Sequence, residues 1–308
     1  MIGVFKLRIV IAGGSGLIGQ KLVDLFQMSG HEIIILSRKT RAGEGKTSYV
    51  KWLADDTFPE IEINQADVFI NLAGVSINDG RWNAQHQKNI YDSRMTATDE
   101  LLRIIKALPV KPSVLINASA IGIYPASEEN IYTEQSTEVA TDFLAKTVFD
   151  WEQKALSAES DGIRAVCMRF GVVLSNDGGA LPPMVLPYKL FAGGTVGSGE
   201  QWLSWIHLDD VARAILFAIE NDNLHGPVNV TSPFPKRMKY VGQSIGSVLR
   251  RPHWFPVPSF VMRLALGKKS MLVLKGQHVL PQVLLDNNFT FSFPSIELAL
   301  EDLLDNDV

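Results

Sequence analysis

Only one cysteine, Cys167, occurs in 308 residues, in the apolar run AVCM. A disulfide framework is therefore excluded, a reducing compartment fits, and Cys167 reads as a buried structural thiol. The chain also has no block of one charge. Its 29 basic and 33 acidic residues give a net charge of -4, with no basic stripe to follow a phosphate backbone, so nucleic acid is not expected as a partner. No run approaches the ~18 to 20 uninterrupted apolar residues of a membrane span. The N-terminal MIGVFKLRIVIAGG lacks a long apolar stretch with a cleavage site, and no repeat has a solenoid period. Together these absences predict a cytoplasmic protein, monomeric or homodimeric, whose partner is a small molecule and neither a membrane nor a nucleic acid.

Other chemistries are missing too. The six histidines are scattered without HExxH or a Cys/His cluster, so no metal site is proposed. No GxSxG elbow surrounds any serine. GKT at 45–47 has Thr40 where a phosphate loop needs its first glycine.

Apolar content, by contrast, is ample. At 46% hydrophobic the chain can bury one large core or two joined smaller ones. Short β-branched runs, LRIVIA (7–12), EIIIL (32–36), DVFINLAG (67–74), SVLINASA (113–120) and RAVCMRFGVV (164–173), alternate with amphipathic stretches such as FLAKTVFDWEQKALSAE. Runs apolar throughout predict strands covered on both faces, hence an α/β fold with a Rossmann-type doubly wound parallel sheet. After about residue 175 the text becomes rich in Pro and Gly, although DDVARAILFAIEND (209–222) still reads as a helix and PVNVT (227–231) as a strand. The expected organisation is a nucleotide-binding domain over 1–235 and a small C-terminal substrate-side lobe over 236–308, to which 175–205 contributes.

AGGSGLIG follows the first strand directly and places Gly13, Gly16 and Gly19 at GxxGxxG spacing, with a helix opening at Leu17 and Ile18. The first glycine permits the tight turn, the second lets backbone approach a pyrophosphate, and the third lets helix and strand pack closely. The helix N-terminus then offers free N–H groups and a positive dipole end to the phosphates. Where an acidic residue at the end of the second strand would bind ribose hydroxyls, this chain has LSRKTRA, with Ser37 and Arg38. A hydroxyl and guanidinium groups there suit a 2′-phosphate, so NADP(H) is favoured over NAD(H); the bland alternative is a solvated basic turn.

With NLAG (71–74), NASAIGIYP (117–125), MRFGVVL (168–174) and SWIHLDDVARAI (204–215) in order after the glycine loop, the chain resembles the extended short-chain dehydrogenase/reductases, the NAD-dependent epimerase/dehydratase family. GRWN (80–83), DSRMTAT (92–98), DWE (150–152) and QHVLP (277–281) look like an atypical branch of epimerase-family and cell-division-inhibitor-like proteins carrying a C-terminal domain of unknown function. The resemblance covers nearly the whole chain. It implies that Leu72, Ala73, Gly74 and Ser119 join the glycine loop in holding the dinucleotide.

Typical members pair a serine at the end of the fifth strand with Tyr-x-x-x-Lys on the next helix, because an unperturbed tyrosine titrates near ~10 and needs the lysine to act at neutral pH. If Glu152 matches the glutamate that follows that lysine, the two positions fall on Leu144 and Val148. The six tyrosines are followed four residues later by Leu53, Met95, Glu128, Ser136, Ala192 and Ser244, so the motif occurs nowhere. Ser119 remains, and Tyr124 could supply the proton or only wall the pocket. Ser76, Asn78 and Arg81 could face the same crevice, and Arg94 could face it or pair with an acid. For His207 and Asp209 the structural reading is preferred, with Asp209 or Asp210 as the helix N-cap. Two functions follow: an NADP(H)-dependent oxidoreductase or epimerase on an unknown small polar substrate, or a catalytically silent NADP(H)-binding sensor or partner-binding protein.

Overall fold

The computed structural model describes residues 6–304. Its first half runs β1 (Arg8–Ala12), α1 (Leu17–Met28), β2 (Glu32–Ser37), β3 (Thr47–Lys51), α2 (Pro59–Ile63), β4 (Val68–Asn71), α3 (Ala84–Ala107) and β5 (Val114–Ala120). The short β6 (Ile131–Tyr132) precedes α4 (Phe143–Leu156) and β7 (Arg164–Phe170). Then come β8 (Val172–Ser175), β9 (Gly178–Gly179), α5 (Leu181–Lys189), β10 (Trp202–Leu203), β11 (Trp205–His207), α6 (Leu208–Glu220) and β12 (Gly226–Val230). The C-terminal part holds β13 (Lys236–Arg237), α7 (Met238–Val248), α8 (Ser259–Leu266), α9 (Met271–Leu274), β14 (His278–Val279), α10 (Gln282–Asp286) and α11 (Ile296–Leu304).

Seven strands form one parallel sheet in the order β12-β7-β5-β4-β1-β2-β3. Successive residues of each central strand serve opposite cores. Ile9, Ile11, Ile33, Ile35, Val68 and Ile70 face α1 and α6, while Val10, Ala12, Ile34, Leu36 and Phe69 face α3 and its neighbours. Both faces being covered, the strands show no polar alternation. Cys167 is fully buried in β7 and burial pushes its thiol pKa up.

The apolar run 164–173 is not one strand. It divides at Gly171, where a Cβ would lie 2.5 Å from the Ser204 carbonyl oxygen and where pairing passes from β12 to β11. Beyond the break, β8 leaves for a small sheet with β11 and β9. The edge strand β3 was not legible, since TSYVK is short and half polar.

The lobe is woven from distant segments. Leu174, Leu181 and Leu203 share a core with Val241, Ile245 and Leu300. Yet the chain after 236 also returns to the large domain: β14 pairs with β6, and Leu284 and Phe289 enter the main core. The Asp210 carboxylate fastens this return by accepting from Ser292 N–H and Phe293 N–H, both at 2.8 Å. It is therefore not the cap of α6. That role belongs to His207, whose Nδ1 accepts from Asp209 N–H at 3.1 Å.

Candidate dinucleotide and catalytic site

Strand order reverses between β1 and β4: the chain first builds outward from β1 to β2 and β3, then crosses back to β4 on the other side. Side chains and loops at the carboxyl ends of these strands line the crevice where doubly wound sheets take ligands.

On the β1 side the site is made of backbone. Gly13 turns the chain at φ +86°, where a Cβ would lie 2.7 Å from the Leu72 carbonyl. A Cβ on Gly19 would lie 2.3 Å from the Gly13 oxygen, so helix and turn touch through glycine at both ends. Gly16 differs. It is exposed, and the nearest atom to a Cβ there is the Gly13 oxygen at 3.4 Å. It heads α1 with no side-chain cap and no acidic residue in the first turn. The first N–H groups of α1, including those of the half-buried Leu17 and Ile18, are thus left for an anion.

Neighbouring residues frame this cradle. Ser37 ends β2, its Oγ accepting from Lys39 N–H at 3.2 Å, and Arg38 is exposed without a carboxylate partner among the described residues. Leu72 N–H donates to the Ala12 carbonyl at 2.8 Å, Ala73 N–H to Asn71 Oδ1 at 3.2 Å, and Gly74 is small because the Arg94 guanidinium passes beside it. Asn71, fully buried, donates to Asn117 Oδ1 at 2.7 Å and to Thr98 Oγ1 at 2.9 Å. This asparagine pair locks β4 to β5. Its signal in the sequence was the asparagine shared by NLAG and NASA.

On the β5 side the site is made of side chains. Ser119 Oγ donates to Glu152 Oε1 at 2.5 Å. Arg169 grips the same carboxylate through Nε and Nη2, both at 2.7 Å, and donates through Nη1 to Tyr124 Oη at 2.7 Å. β5 and β7 pair in register so that Ser119 faces Arg169, and α4 lays Glu152 across both. Burial opposes the charge on Arg169, but the carboxylate outweighs it and its pKa lies above the usual value.

Tyr124 is corrected as a proton donor. Its ring is buried and stacked on Tyr132, and its hydroxyl lies 2.9 Å from Asn229 Oδ1 and 3.0 Å from the Thr133 carbonyl. Burial raises its pKa, and no face of the hydroxyl is left for a substrate. The helix positions expected to hold the tyrosine and lysine carry half-buried Leu144 and buried Val148, the latter packed with Ile121, Ile123 and Val279.

Arg94 has no acidic partner among the described residues. It donates to the Val75 and Ile90 carbonyls at 3.1 and 3.0 Å and lies over the Trp151 ring; burial brings its pKa down to about 10. Ser76, Asn78 and Arg81 are exposed on the loop after β4, and Lys269 Nζ reaches across from the lobe to the Asn78 carbonyl at 2.6 Å. Glu152 and Arg169 were not singled out as site residues from the sequence, although DWE and MRFGVVL contain them, because nothing in either stretch shows that α4 brings the carboxylate against β7.

A parallel sheet with a glycine-lined, uncapped helix at its switch point defines a Rossmann-type protein of the short-chain dehydrogenase/reductase kind. Residues 9–231 match the NAD dependent epimerase/dehydratase family, and residues 257–303 match a domain of unknown function, DUF1731. The chain belongs to the NAD dependent epimerase/dehydratase family, as an atypical member. Epimerase family protein YfhF of Bacillus subtilis is 46% identical over 299 residues, 97% of this chain and 98% of that protein. The human epimerase family protein SDR39U1 (isoform 2), solved with NADPH, shares 33% identity and a TM-score of 0.89, over 97% of this chain and all (100%) of that one. UDP-glucuronic acid 4-epimerase from Bacillus cereus, solved with UDP-glucuronic acid and NAD, has a TM-score of 0.76 at 14% identity over 97% of this chain and 98% of that one, which is a likeness of fold alone.

Proposed function

We propose that this chain is an NADP(H)-binding oxidoreductase or epimerase that works in the cytoplasm, as a monomer or homodimer, on a small polar, sugar- or carbonyl-like substrate. The observation that carries the reading is what faces what across the switch point. An uncapped helix end and acid-free Arg38 lie on one side, and a serine hydroxyl fixed to a buried carboxylate lies on the other. The NADPH held by the human relative supports the choice of cofactor.

The residues present fit such a cofactor. Gly13, Gly16 and Gly19 would bring backbone and the α1 N–H groups to the pyrophosphate, Ser37 and Arg38 would take the 2′-phosphate, and Leu72, Ala73, Gly74 and Ser119 would border the rest. A bound nicotinamide supplies the hydride donor or acceptor. This chain supplies position and polarity. Because the proton of Ser119 is committed to Glu152, the hydroxyl presents lone pairs, and it is suited to accept from a substrate hydroxyl or a water. Glu152, gripped in turn by Arg169, fixes that orientation.

Calorimetric titration with NADPH, NADP+, NADH and NAD+ is the test. Tight binding of the two phosphorylated forms is expected, and binding of none would overturn the reading. The second reading, a silent NADP(H) sensor, is favoured by one observation: Val148 lies in an apolar cluster where a lysine would be needed. Turnover by the wild type of any hydroxyl or carbonyl substrate, lost in Ser119→Ala, would remove it.

A further inference from the structure

The charges are less evenly mixed than the whole-chain totals suggest. From residue 223 to 285 there is no Asp or Glu at all, against nine Lys and Arg, which leaves 20 basic and 33 acidic residues for the remainder. Among the described residues only Lys239 of those nine has a carboxylate partner, Glu200. Arg237 and Lys269 are spent on backbone carbonyls. Arg250, Arg263, Lys268 and Lys275 are exposed, with no ion pair among the described residues.

The same segment fails to bury its apolar side chains. α8 (SFVMRLAL) has no buried residue, and Phe260 and Leu264, one turn apart, are 69% and 87% exposed. Just before it, Trp254 and Phe255 are 68% and 65% exposed. The Trp254 Nε1–H donates to the Phe191 carbonyl at 3.1 Å, so its polar end is satisfied by protein while its ring faces outward. Phe191 is itself exposed and carries the Arg251 guanidinium over its ring. The exposed face of residues 250–275 thus interleaves large apolar side chains with cations that have no ion pair among the described residues.

We infer that this face docks on an anionic lipid surface, with Trp254, Phe255, Phe260 and Leu264 entering the headgroup boundary and Arg250, Arg263, Lys268 and Lys275 meeting lipid phosphates. No helix among the described residues is long and apolar enough to cross a membrane; the geometry is that of a helix lying in the interface. Charge chooses lipid over a second copy of the chain. A twofold contact would set these cations against their own images, which repel. Satisfied indole N–H and bare ring also suit the interface, where one side of an aromatic is wet and the other apolar. Lys269 ties this segment to the crevice loop at Asn78 and Asp79, so docking would set the crevice mouth beside the bilayer.

The test is co-sedimentation of the full chain with vesicles of phosphatidylcholine, alone or with phosphatidylglycerol, at low and high salt. Binding is expected only to the phosphatidylglycerol vesicles, weakening with salt, together with a blue shift of emission that Trp254→Phe abolishes. Arg263→Gln and Lys268→Gln should each weaken binding about fivefold. Phe260→Ser with Leu264→Ser should weaken it roughly a hundredfold while leaving thermal unfolding unchanged, since neither side chain is buried. Absence of sedimentation at low salt would overturn the inference. So would a dimer in analytical ultracentrifugation that the Phe260/Leu264 variant converts to monomer, because a second copy would then cover the face. Salt-sensitive retention by an acidic protein with none by vesicles would overturn it equally.

Discussion

Around β1 and β2 the crevice is assembled from backbone: three glycines, an uncapped helix start and the carbonyl of Leu72. Around β5 and β7 it is assembled from side chains: Ser119, Glu152, Arg169 and Tyr124, joined by bonds that span 33, 17 and 45 residues of sequence. In the first half, a Cβ at Gly13 or Gly19 would meet backbone at 2.7 or 2.3 Å. The second depends on every member of a buried charged network, since removing one leaves another unpaired in a dry site. A loop built of backbone is therefore specified locally, and a wall built of side chains by residues far apart in the chain.

The comparison is broken most severely at the glycines. Gly19→Val forces a Cβ to 2.3 Å from the Gly13 oxygen and 2.7 Å from the Gly14 Cα, so a loss of about 3 kcal/mol or more is expected from overpacking against backbone, read by urea unfolding, together with loss of dinucleotide binding. On the other side, Arg169→Met leaves the Glu152 carboxylate buried without its cation. A loss of about 3 to 5 kcal/mol is expected, lowering the melting temperature by roughly 10 °C. Adding Glu152→Leu should restore much of it, and a double variant no more stable than the single one would mean that the pair is not what holds β5, β7 and α4 together.

Smaller changes sharpen the contrast. Arg38→Ala should weaken NADPH about tenfold to a hundredfold, in line with a lost charge-assisted bond to phosphate, and leave NADH unchanged; equal losses would refute a 2′-phosphate role. Tyr124→Phe should lower stability by about 1 to 2 kcal/mol, the loss of a buried hydrogen-bonding group, without moving the pH profile of any turnover. A shifted profile would return Tyr124 to the reaction.

The smallest expected effect is in pH. Burial lowers the pKa values of His31, His207, His253 and His278, with Asp209 and Asp302 acting against it at His207. The unfolded chain then binds protons that the folded chain refuses, so stability is full above the unfolded histidine value near ~6.5 and declines as pH falls below it. Urea midpoints at pH 7.5 and 5.5 should differ in that sense, and His207→Asn, which keeps a capping oxygen for α6, should reduce the difference.

Particular residues show how far the sequence could be read. Ile9, Ile33, Val68 and Val114 were recognisable as strand residues because covering both sheet faces demands uninterrupted apolar runs, and Gly13, Gly16 and Gly19 because their spacing between a strand and a helix is visible within one short stretch, AGGSGLIG. β3 was missed because five half-polar residues carry no period of their own. The cap of α6 was misplaced by two or three residues: aspartates at 209 and 210 are good caps in general, but here Asp210 is claimed by the returning C-terminal segment. Tyr124 was expected to face the crevice, being five residues past Ser119, and was instead taken into the core by Asn229, which lies 105 residues away in sequence.

By itself, then, the sequence determined the parallel sheet, the glycine cradle and the basic end of β2, because each is specified by short-range periodicity, backbone freedom or local charge. Only the tertiary structure decided what Ser119 bonds to, where Tyr124 points and which charged and apolar side chains of residues 223–285 stay uncovered. Those outcomes depend on which distant segments arrive beside them, and burial and pairing across such separations leave no mark on any single stretch of chain.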